Sequence, residues 1–376
     1  MMKKPSVALV LGDPAGIGPE LVAKVLSQPA LRELANIILI ADRNELEKGM
    51  DIVGQRFPYR EISNAEAVTF TPGEPLLLNH DWTQRTPFDY GNATEQSGVY
   101  ILETLARAVE LTQQGITQGV CFAPLNKQAM HMGGLKHRDE LHWFAELLNY
   151  NDFCCEVNVV DNLWAGRATS HIPFRDIVSN LNVDGVVDTI ALMDRTLRQA
   201  GVAQPKIAVQ ALNPHGGENG LFGDEEQTII KPAMAKAKEQ GIEVYGPYPA
   251  DTTYKAVETQ KLDAVVSMYH DQFATALKML GFERGITVQG GLPVPIATAN
   301  HGTAYNLYGQ NLASSSAFEK AFRLLVRMAS NVSKFLTGRR AFCPGGLKCD
   351  RRNAALERRY AHTFDIAEKP GIMRGY

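Results

Sequence analysis

The sequence has few cysteines and no long apolar run. Five cysteines are present: Cys121, Cys154, Cys155, Cys343 and Cys349. They show neither the repeated CxxC spacing of a zinc knuckle nor the regular spacing of a disulfide framework. No uninterrupted apolar segment approaches the roughly 18–20 residues that cross a bilayer, and Gly12-Asp13-Pro14 ends the apolar stretch near the N terminus. These absences predict a soluble protein of the reducing cytoplasm, without a membrane partner.

A strong excess of either charge is also missing. The 376 residues include 38 Lys and Arg against 41 Asp and Glu, a formal net charge of −3. Such a balance gives no general positive field for a polyanion, so nucleic acid is not expected as a partner. With 45% hydrophobic and 21% charged residues, the composition is that of an ordinary globular protein, and the length suggests about two domains.

Apolar, β-rich segments alternate with segments of helical periodicity over most of the chain. Strands are predicted at 6–11, 36–41, 119–123, 156–160, 206–212 and 264–268, and helices at 95–114, 138–149, 224–239 and 317–336. This alternation predicts an α/β fold with a largely parallel sheet. Because no linker separates two domains, we expect them to exchange segments and to enclose a cleft.

The last forty residues differ in composition from the rest. Residues 337–376 contain seven Arg and two Lys against two Asp and two Glu, a balance of +5, whereas the preceding 336 residues carry 29 − 37 = −8. The segment has paired arginines and little periodic apolar character, which predicts an atypical basic C-terminal tail that is peripheral or disordered. A nucleic-acid-binding arm is the less favoured interpretation.

Three histidines each follow a predicted strand. They are His171, His215 and His270. Because the carboxyl ends of parallel strands line the ligand crevice, we expect these side chains to converge. Three imidazoles can hold a divalent ion such as zinc, cobalt, nickel or manganese and leave positions open for substrate. A structural histidine is the alternative for each one singly. Asp271 would orient a ligand or act as a base.

Two segments with glycine are further candidates. GDPAGIGPE at 12–20 follows the first strand but contains neither the G-x-G-x-x-G nor the GK[ST] motif. An ordinary βα turn is its alternative interpretation. NHGTA at 300–304 offers small side chains and backbone donors that suit a flat or phosphorylated ligand, or else forms an ordinary loop before the last helix.

Taken together, these motifs resemble the 4-hydroxythreonine-4-phosphate dehydrogenase (PdxA) family of vitamin B6 synthesis, whose relatives oxidise phosphorylated sugar acids or aromatic dihydrodiol acids. The motifs stand in the family's order: GDPAGIGPE (12–20), SHIPFRDI (170–177), LNPHGGENG (212–220), GPYPADT (246–252), MYHDQ (268–272) and NHGTA (300–304). The resemblance covers about residues 5–336.

The resemblance implies a fold and an assembly. It implies two α/β/α domains with a central cleft, similar to isocitrate and isopropylmalate dehydrogenases. The first domain would comprise 1–125 plus 270–336. The second, 126–269, would carry the interface of a homodimer with active sites between the subunits.

The resemblance also implies a reaction and its cofactors. A 3-hydroxy acid would be oxidised by NAD or NADP and then decarboxylated, with 4-(phosphooxy)-L-threonine giving 3-amino-2-oxopropyl phosphate as the first choice. A divalent metal (Zn, Co, Mn or Mg) would act as a Lewis acid. The family's metal ligands match His171, His215 and His270. The family's dinucleotide loop matches His301, Gly302, Thr303 and Ala304.

The remaining site residues also come from this resemblance. Lys278 matches a lysine that contacts substrate, and Asp251 and Asp271 are candidates for proton transfer or amine binding. Four positions depart from the family's substrate contacts: Glu140 and Leu141 replace His-Thr, Thr287 replaces Asn, and Ile296 replaces Arg. Without that guanidinium the site lacks a bidentate partner for an anion, so we expect altered substrate recognition.

Two alternatives to this function stay open. Leu141 and Ile296 motivate oxidation of a non-phosphorylated diol acid, such as an aromatic cis-dihydrodiol carboxylate. A catalytically inactive cofactor-binding protein with a basic tail is the alternative from another class.

Overall fold

The computed structural model describes residues 4–65, 68–82 and 87–339. In these ranges twelve strands form one sheet. They are β1 (Ser6–Val10), β2 (Asn36–Ala41), β3 (Arg60–Ile62), β4 (Leu76–Asn79), β5 (Val120–Phe122), β6 (Cys155–Val160), β7 (Leu163–Arg167), β8 (Lys206–Gln210), β9 (Glu243–Tyr248), β10 (Ala264–Ser267), β11 (Gly285–Gly290) and β12 (Ile296–Ala299).

Helices and short turns connect these strands. The helices are α1 (Gly18–Leu26), α2 (Pro29–Arg32), α3 (Arg43–Val53), α4 (Glu95–Gln113), α5 (Lys127–Met132), α6 (Glu140–Leu147), α7 (Ile177–Asn180), α8 (Val183–Gln199), α9 (Lys231–Glu239), α10 (Thr253–Gln260), α11 (His270–Gly281) and α12 (Ser316–Arg339). Single turns of tighter helix occur at Phe174–Asp176, Phe282–Arg284 and Tyr305–Leu307, a left-handed turn at Pro214–Gly220, and a wider π-type turn at Glu226–Ile230.

The strands lie in the order β3-β4-β2-β1-β5-β12-β11-β6-β7-β10-β8-β9. Eight of the eleven strand pairs are parallel, and the three antiparallel pairs, β12–β11, β11–β6 and β6–β7, lie together near the middle. The predicted α/β class with a largely parallel sheet is therefore confirmed. The sheet has two parallel portions joined by antiparallel strands.

The sheet is buried on both faces, which explains its apolar strands. In β1, Val7 and Leu9 pack into one apolar cluster together with α1 and α12, whereas Ala8 and Val10 pack into a second cluster with α4. Neighbouring residues of a strand point to opposite faces, so a strand covered by helices on both sides is apolar throughout. This is why the sequence of β1 is an uninterrupted apolar segment from Val7 to Val10.

All six predicted strands and all four predicted helices are present, with ends that shift by a few residues. The predicted helix at 224–239 includes the π-type turn before α9. The described chain up to Phe335 forms one compact unit, and the division into two domains stays a prediction. From residue 340 the predicted basic tail lies outside the described residues. None of the described helices has both the length and the apolar character needed to cross a membrane.

Helices α4 and α5 approach each other closely at Gly98. A Cβ atom built there would lie 1.8 Å from the carbonyl oxygen of Ala129. We expect Gly98→Ala to separate the helices and to lower the free energy of unfolding by about 1–3 kcal/mol. Gly185→Ala in α8 is the matched control, because its Cβ would meet Asn182 only at 3.5 Å, and it should stabilise by up to about 1 kcal/mol. Urea unfolding followed by circular dichroism compares the two variants; equal effects would contradict the steric argument.

Candidate active site

The ends of β7 and β10 are joined beyond the sheet. The backbone N–H of Thr169 donates to the carbonyl of Met268 at 3.1 Å, and the Thr169 hydroxyl donates to the same oxygen at 2.7 Å. Two residues further along each segment stand His171 and His270. The parallel pairing of β7 with β10 therefore brings these two histidines to one place at the carboxyl end of the sheet.

His171 and His270 form a pair of adjacent imidazoles. Their ring centroids are 5.4 Å apart, with 38° between the ring planes. Nδ1 of His270 lies 2.6 Å from Oδ1 of Asp271, so Nε2 is left for another partner. Burial lowers the pKa of His171 and favours its neutral form. The hydrogen bond with His270 lowers the pKa of Asp271, which keeps this carboxylate charged.

His215 lies apart from this pair. It follows β8 in the turn Pro214–Gly220, and its ring stands 6.3 Å from that of Phe222. Among the residues that the structure describes, no group of three or more His, Cys, Asp or Glu side chains is close enough to hold a metal ion. The structure thus brings together two of the three predicted ligands, and a site shared by all three stays a prediction.

The predicted catalytic residues Lys278 and Asp251 are both exposed. Lys278 lies on α11, and its charge contributes to the low pKa of Asp271. Asp251 lies directly before α10, whose N terminus is held near β8 because the Gln210 side-chain amide donates to the carbonyl of Ala250 at 3.3 Å. Both side chains are accessible from the surface, and their part in the site stays a prediction.

A buried arginine supports the loop that carries His171. The Arg167 side chain is 5% exposed and donates to Glu156 at 2.9 Å, to Asn158 at 2.8 Å and to the Ser170 hydroxyl at 2.8 Å. A charge-assisted fork of this kind fixes its partners firmly. Arg167 was not among the predicted site residues, although it stands three residues before the SHIPFRDI motif (170–177).

Glu140 is a buried carboxylate that pairs with a half-exposed lysine. Its carboxylate stands 3.3 Å from Nζ of Lys127, which also approaches Glu156 at 3.8 Å. Burial raises the pKa of Glu140, and the Lys127 charge only partly opposes this. Lys127 was also missed, although it follows the predicted strand at 119–123 by four residues. In this structure the carboxylate of Glu140 is paired with the ammonium group of Lys127.

The other three substrate-contact predictions fall on buried side chains. Leu141 is 2% exposed and Ile296 0%, both in the apolar cluster under α4. Thr287 is 7% exposed, and its hydroxyl accepts a hydrogen bond from the Asn158 amide at 3.3 Å. None of the three reaches the surface here, and their role in substrate binding stays a prediction.

The first βα turn is bonded to the loop that contains His301, Gly302, Thr303 and Ala304. The N–H of Ile17 donates to the carbonyl of Thr303 at 3.0 Å, and a Cβ at Gly16 would lie 2.7 Å from that same oxygen. The Tyr305 hydroxyl donates to Asp13 at 2.6 Å.

The loop itself is open on its outer side. His301 is half-buried, Thr303 is buried, and Gly302 is exposed with free space where a Cβ would stand. Ala304 has a positive φ of 43°. These features leave room for a flat ligand against the backbone of the loop.

Sequence and structure comparisons agree on one family. A profile of the family described as pyridoxal phosphate biosynthetic protein PdxA matches residues 33–325. A protein of Pasteurella multocida named "Putative 4-hydroxythreonine-4-phosphate dehydrogenase" is 62% identical over 333 residues, which are 88% of this chain and 99% of that protein. The D-threonate 4-phosphate dehydrogenase of Salmonella typhimurium is 34% identical over 331 residues, 87% of this chain and 100% of that protein.

Solved structures share the architecture as well. The crystal structure of 4-hydroxythreonine-4-phosphate dehydrogenase from Klebsiella pneumoniae has a TM-score of 0.77 and 33% identity, covering 87% of this chain and 98% of that one. A terephthalate 1,2-cis-dihydrodiol dehydrogenase from Burkholderia xenovorans is 22% identical with a TM-score of 0.62, a likeness of fold alone.

The buried carboxyl of Asp13 makes part of the stability depend on pH. Burial raises its pKa from 3.8 to about 6, although hydrogen bonds from Tyr305 and Ala15 oppose the shift. The native state therefore binds more protons than the unfolded state between these values, and stability falls as pH rises through this window. Relative to Asp13→Asn, the wild type should lose on the order of 2–3 kcal/mol between pH 4 and pH 7.5. Urea unfolding at both pH values measures this difference.

The exposed Asp51→Asn variant is the control, because Asp51 is 64% exposed and should follow the wild type. If wild type and Asp13→Asn respond equally to pH, Asp13 does not titrate as stated.

Proposed function

Because the chain belongs to the PdxA family, we propose that it is an NAD(P)-dependent oxidoreductase that oxidises the CH–OH group of a phosphorylated 3-hydroxy acid, followed by decarboxylation. The proposed reaction converts 4-(phosphooxy)-L-threonine, or a close phosphorylated analogue, to 3-amino-2-oxopropyl phosphate for pyridoxal phosphate biosynthesis. The observation that carries the proposal is the His171–His270 pair at the carboxyl end of the sheet, in a chain 62% identical to a relative that bears this name.

The histidine pair fits a divalent cation through the chemistry of its donors. Two imidazoles are adjacent, one is kept neutral by burial, and the other is oriented by Asp271 in the way that carboxylates orient metal-binding histidines. We assign His171, His270 and His215 as the ligands of this ion. When bound, the metal supplies Lewis-acid polarisation of the substrate's hydroxyl group. Imidazole ligands suit Zn, whereas Mn and Mg prefer oxygen ligands.

The exposed side chains around the pair would bind and orient the substrate. Lys278 offers an ammonium group for a carboxylate or phosphate. Asp251 would bind the substrate's amine or take up a proton, and Asp271 would hold the His270 ring in its orientation. Arg167 would keep the His171 loop in place from behind through its bonds to Glu156 and Ser170.

The loop at 301–304 is the proposed site of the nicotinamide cofactor. Its open Gly302 and its bonding to the first βα turn support this assignment. We further propose the two-domain arrangement of the isocitrate dehydrogenase type. The two parallel portions of the sheet, joined by antiparallel strands, support a division into 1–125 plus 270–336 and 126–269.

We propose that the protein acts as a homodimer with its sites at the interface. Large apolar side chains are exposed in the segments that carry the site residues: Phe174 (77%), Val178 (52%), Leu221 (72%), Phe222 (49%) and Met279 (84%). Exposed apolar groups of this size are typical of surfaces that pair with another chain. A second copy would cover them and bring the separate His215 to the histidine pair. Buried, unpaired thiols such as Cys121 and Cys155 support a reducing location, the cytoplasm.

The alternative substrate, a non-phosphorylated diol acid, has less support. Its motivation was Leu141 and Ile296, and both lie in the apolar core. A catalytically inactive binding protein is opposed by the retained histidine pair and the exposed Lys278.

An activity screen with metal analysis tests the function. We expect NAD(P)H formation with 4-(phosphooxy)-L-threonine or D-threonate 4-phosphate, and none with the aromatic dihydrodiol acid. His171→Ala should abolish NAD(P)H formation and lower the bound metal found by elemental analysis, since it removes one of two adjacent donors. His131→Ala, an exposed histidine of α5, is the control and should behave as wild type. Unchanged metal and activity in His171→Ala would defeat the proposal.

Light scattering coupled to size-exclusion chromatography tests the dimer. Leu221→Asp places a charge on the proposed interface and should shift the protein towards monomer at micromolar concentration. Leu312→Asp is the matched control, because Leu312 is similarly exposed (69%) and lies outside the segments that carry the histidines. A wild-type monomer, or equal dissociation of both variants, would exclude this interface.

A further inference from the structure

The turn that carries His215 has an unusual backbone. Six consecutive residues have positive φ: His215 (54°), Gly216 (68°), Gly217 (78°), Glu218 (43°), Asn219 (57°) and Gly220 (102°). Three of the six have side chains, for which left-handed backbone is unfavourable because Cβ crowds the carbonyl oxygen. A left-handed run of this length persists only when the surrounding structure holds it.

A buried carboxylate holds the start of this turn. Glu226 is 0% exposed. Its Oε1 accepts hydrogen bonds from the backbone N–H groups of Leu212 and Asn213, both at 2.8 Å. Its Oε2 accepts one from the Asn213 side-chain amide at 3.0 Å. Three donors thus fix the two residues that come just before Pro214 and His215.

The same carboxylate also lies against the middle of the turn. A Cβ at Gly217, the buried residue of the turn, would stand 2.6 Å from Oε2 of Glu226. The exit of the turn is closed by the N–H of Phe222, which donates to the carbonyl of Gly217 at 3.1 Å. Glu226 therefore contacts both the entry and the centre of the turn, and its own position is the first residue of the π-type turn before α9.

The chemistry of Glu226 cannot be replaced by a neutral amide. Among the described residues no lysine or arginine forms an ion pair with Glu226, so hydrogen-bond donors alone satisfy its charge. In Glu226→Gln, the new NH₂ group would face the NH₂ group of the Asn213 side chain, and two donors cannot bond to each other. Turning the Asn213 amide over to match would break its 2.6 Å bond to Glu225. Residue 226 must therefore offer a hydrogen-bond acceptor at both ends of its terminal group, which a carboxylate does and an amide does not.

From these contacts we infer that Glu226 is the positioning residue for His215: its carboxylate fixes the left-handed turn and thereby where the imidazole is presented. The inference rests on the proposed function, in which His215 is a metal ligand. Glu226 touches neither the metal nor the substrate in this assignment. It acts through the backbone of Leu212 and Asn213.

Binding of Co²⁺ to the full chain, measured by calorimetry and by the visible spectrum of the bound ion, tests this role. Glu226→Gln should weaken binding roughly 10- to 100-fold and alter the spectrum, as loss of an outer-shell support does. Glu20→Gln is the matched control. Glu20 is also 0% exposed and accepts backbone N–H groups, from Gly309 at 2.7 Å and Asn311 at 3.2 Å. Glu20→Gln should lower the thermal midpoint about as much as Glu226→Gln does, and it should leave Co²⁺ binding as in wild type.

A double variant separates positioning from general damage. If Glu226 acts through His215, the combination His215→Ala/Glu226→Gln should bind Co²⁺ no more weakly than His215→Ala alone. Additive losses would overturn the inference. Should Glu226→Gln fail to fold, Asn213→Ser replaces it, because this change keeps the backbone bonds to Glu226 and removes the side-chain bond. A several-fold weaker affinity is then expected, and wild-type affinity would overturn the inference.

The outcomes distinguish the two proposals. Wild-type Co²⁺ binding by His215→Ala would remove His215 from the metal site and refute that part of the proposed function. Weakened binding by His215→Ala together with wild-type binding by Glu226→Gln would leave the function standing and refute only the role of Glu226.

Discussion

The antiparallel pairing of β11 with β12 and β6 is the constraint on which the architecture depends. On one side of it, β12 pairs in parallel with β5, and on the other side the β6–β7 pair leads to the parallel strands β10, β8 and β9. Six backbone partners align between β11 and β6, all within buried or half-buried peptide groups that must find hydrogen bonds. Without these antiparallel pairs, each of the two parallel portions of the sheet would end in an unpaired edge strand.

Much of the fold could be predicted from the sequence because fully buried parallel strands are apolar on both faces. β1 and β2 are of this kind. Two of the six strands that were not predicted lack that signal: β7 contains Gly166 and ends in the polar Arg167, and β12 has four residues of which two are alanine. Their strand conformation is fixed by their neighbours in the sheet, β10 for β7 and β5 for β12. Information of that kind is not local in the sequence.

In the candidate site, too, some features could be predicted from the sequence and others could not. His171 and His270 could be expected to converge because the carboxyl ends of parallel strands line a crevice, but the strand that leads to His171, β7, and its pairing with β10 were not predicted. His215 follows β8 in a left-handed turn, and the place of its side chain depends on the backbone of that turn as well as on the strand. Glycines at 216, 217 and 220 hint at positive φ, but the sequence gives no sign that His215, Glu218 and Asn219 share it. The carboxylate that holds the turn comes eleven residues after His215, on another element.

The position of β12 between β5 and β11 means that β5 has an unpaired edge in the nascent chain. β5 finds its second neighbour only when residues beyond 295 have left the ribosome, so one edge of β5 stays unpaired while residues 123–295 are being synthesised. Such an edge is a template for unwanted pairing with other chains. Slow translation between these two strands would prolong that exposure, and with it the time in which the edge of β5 is open to such pairing.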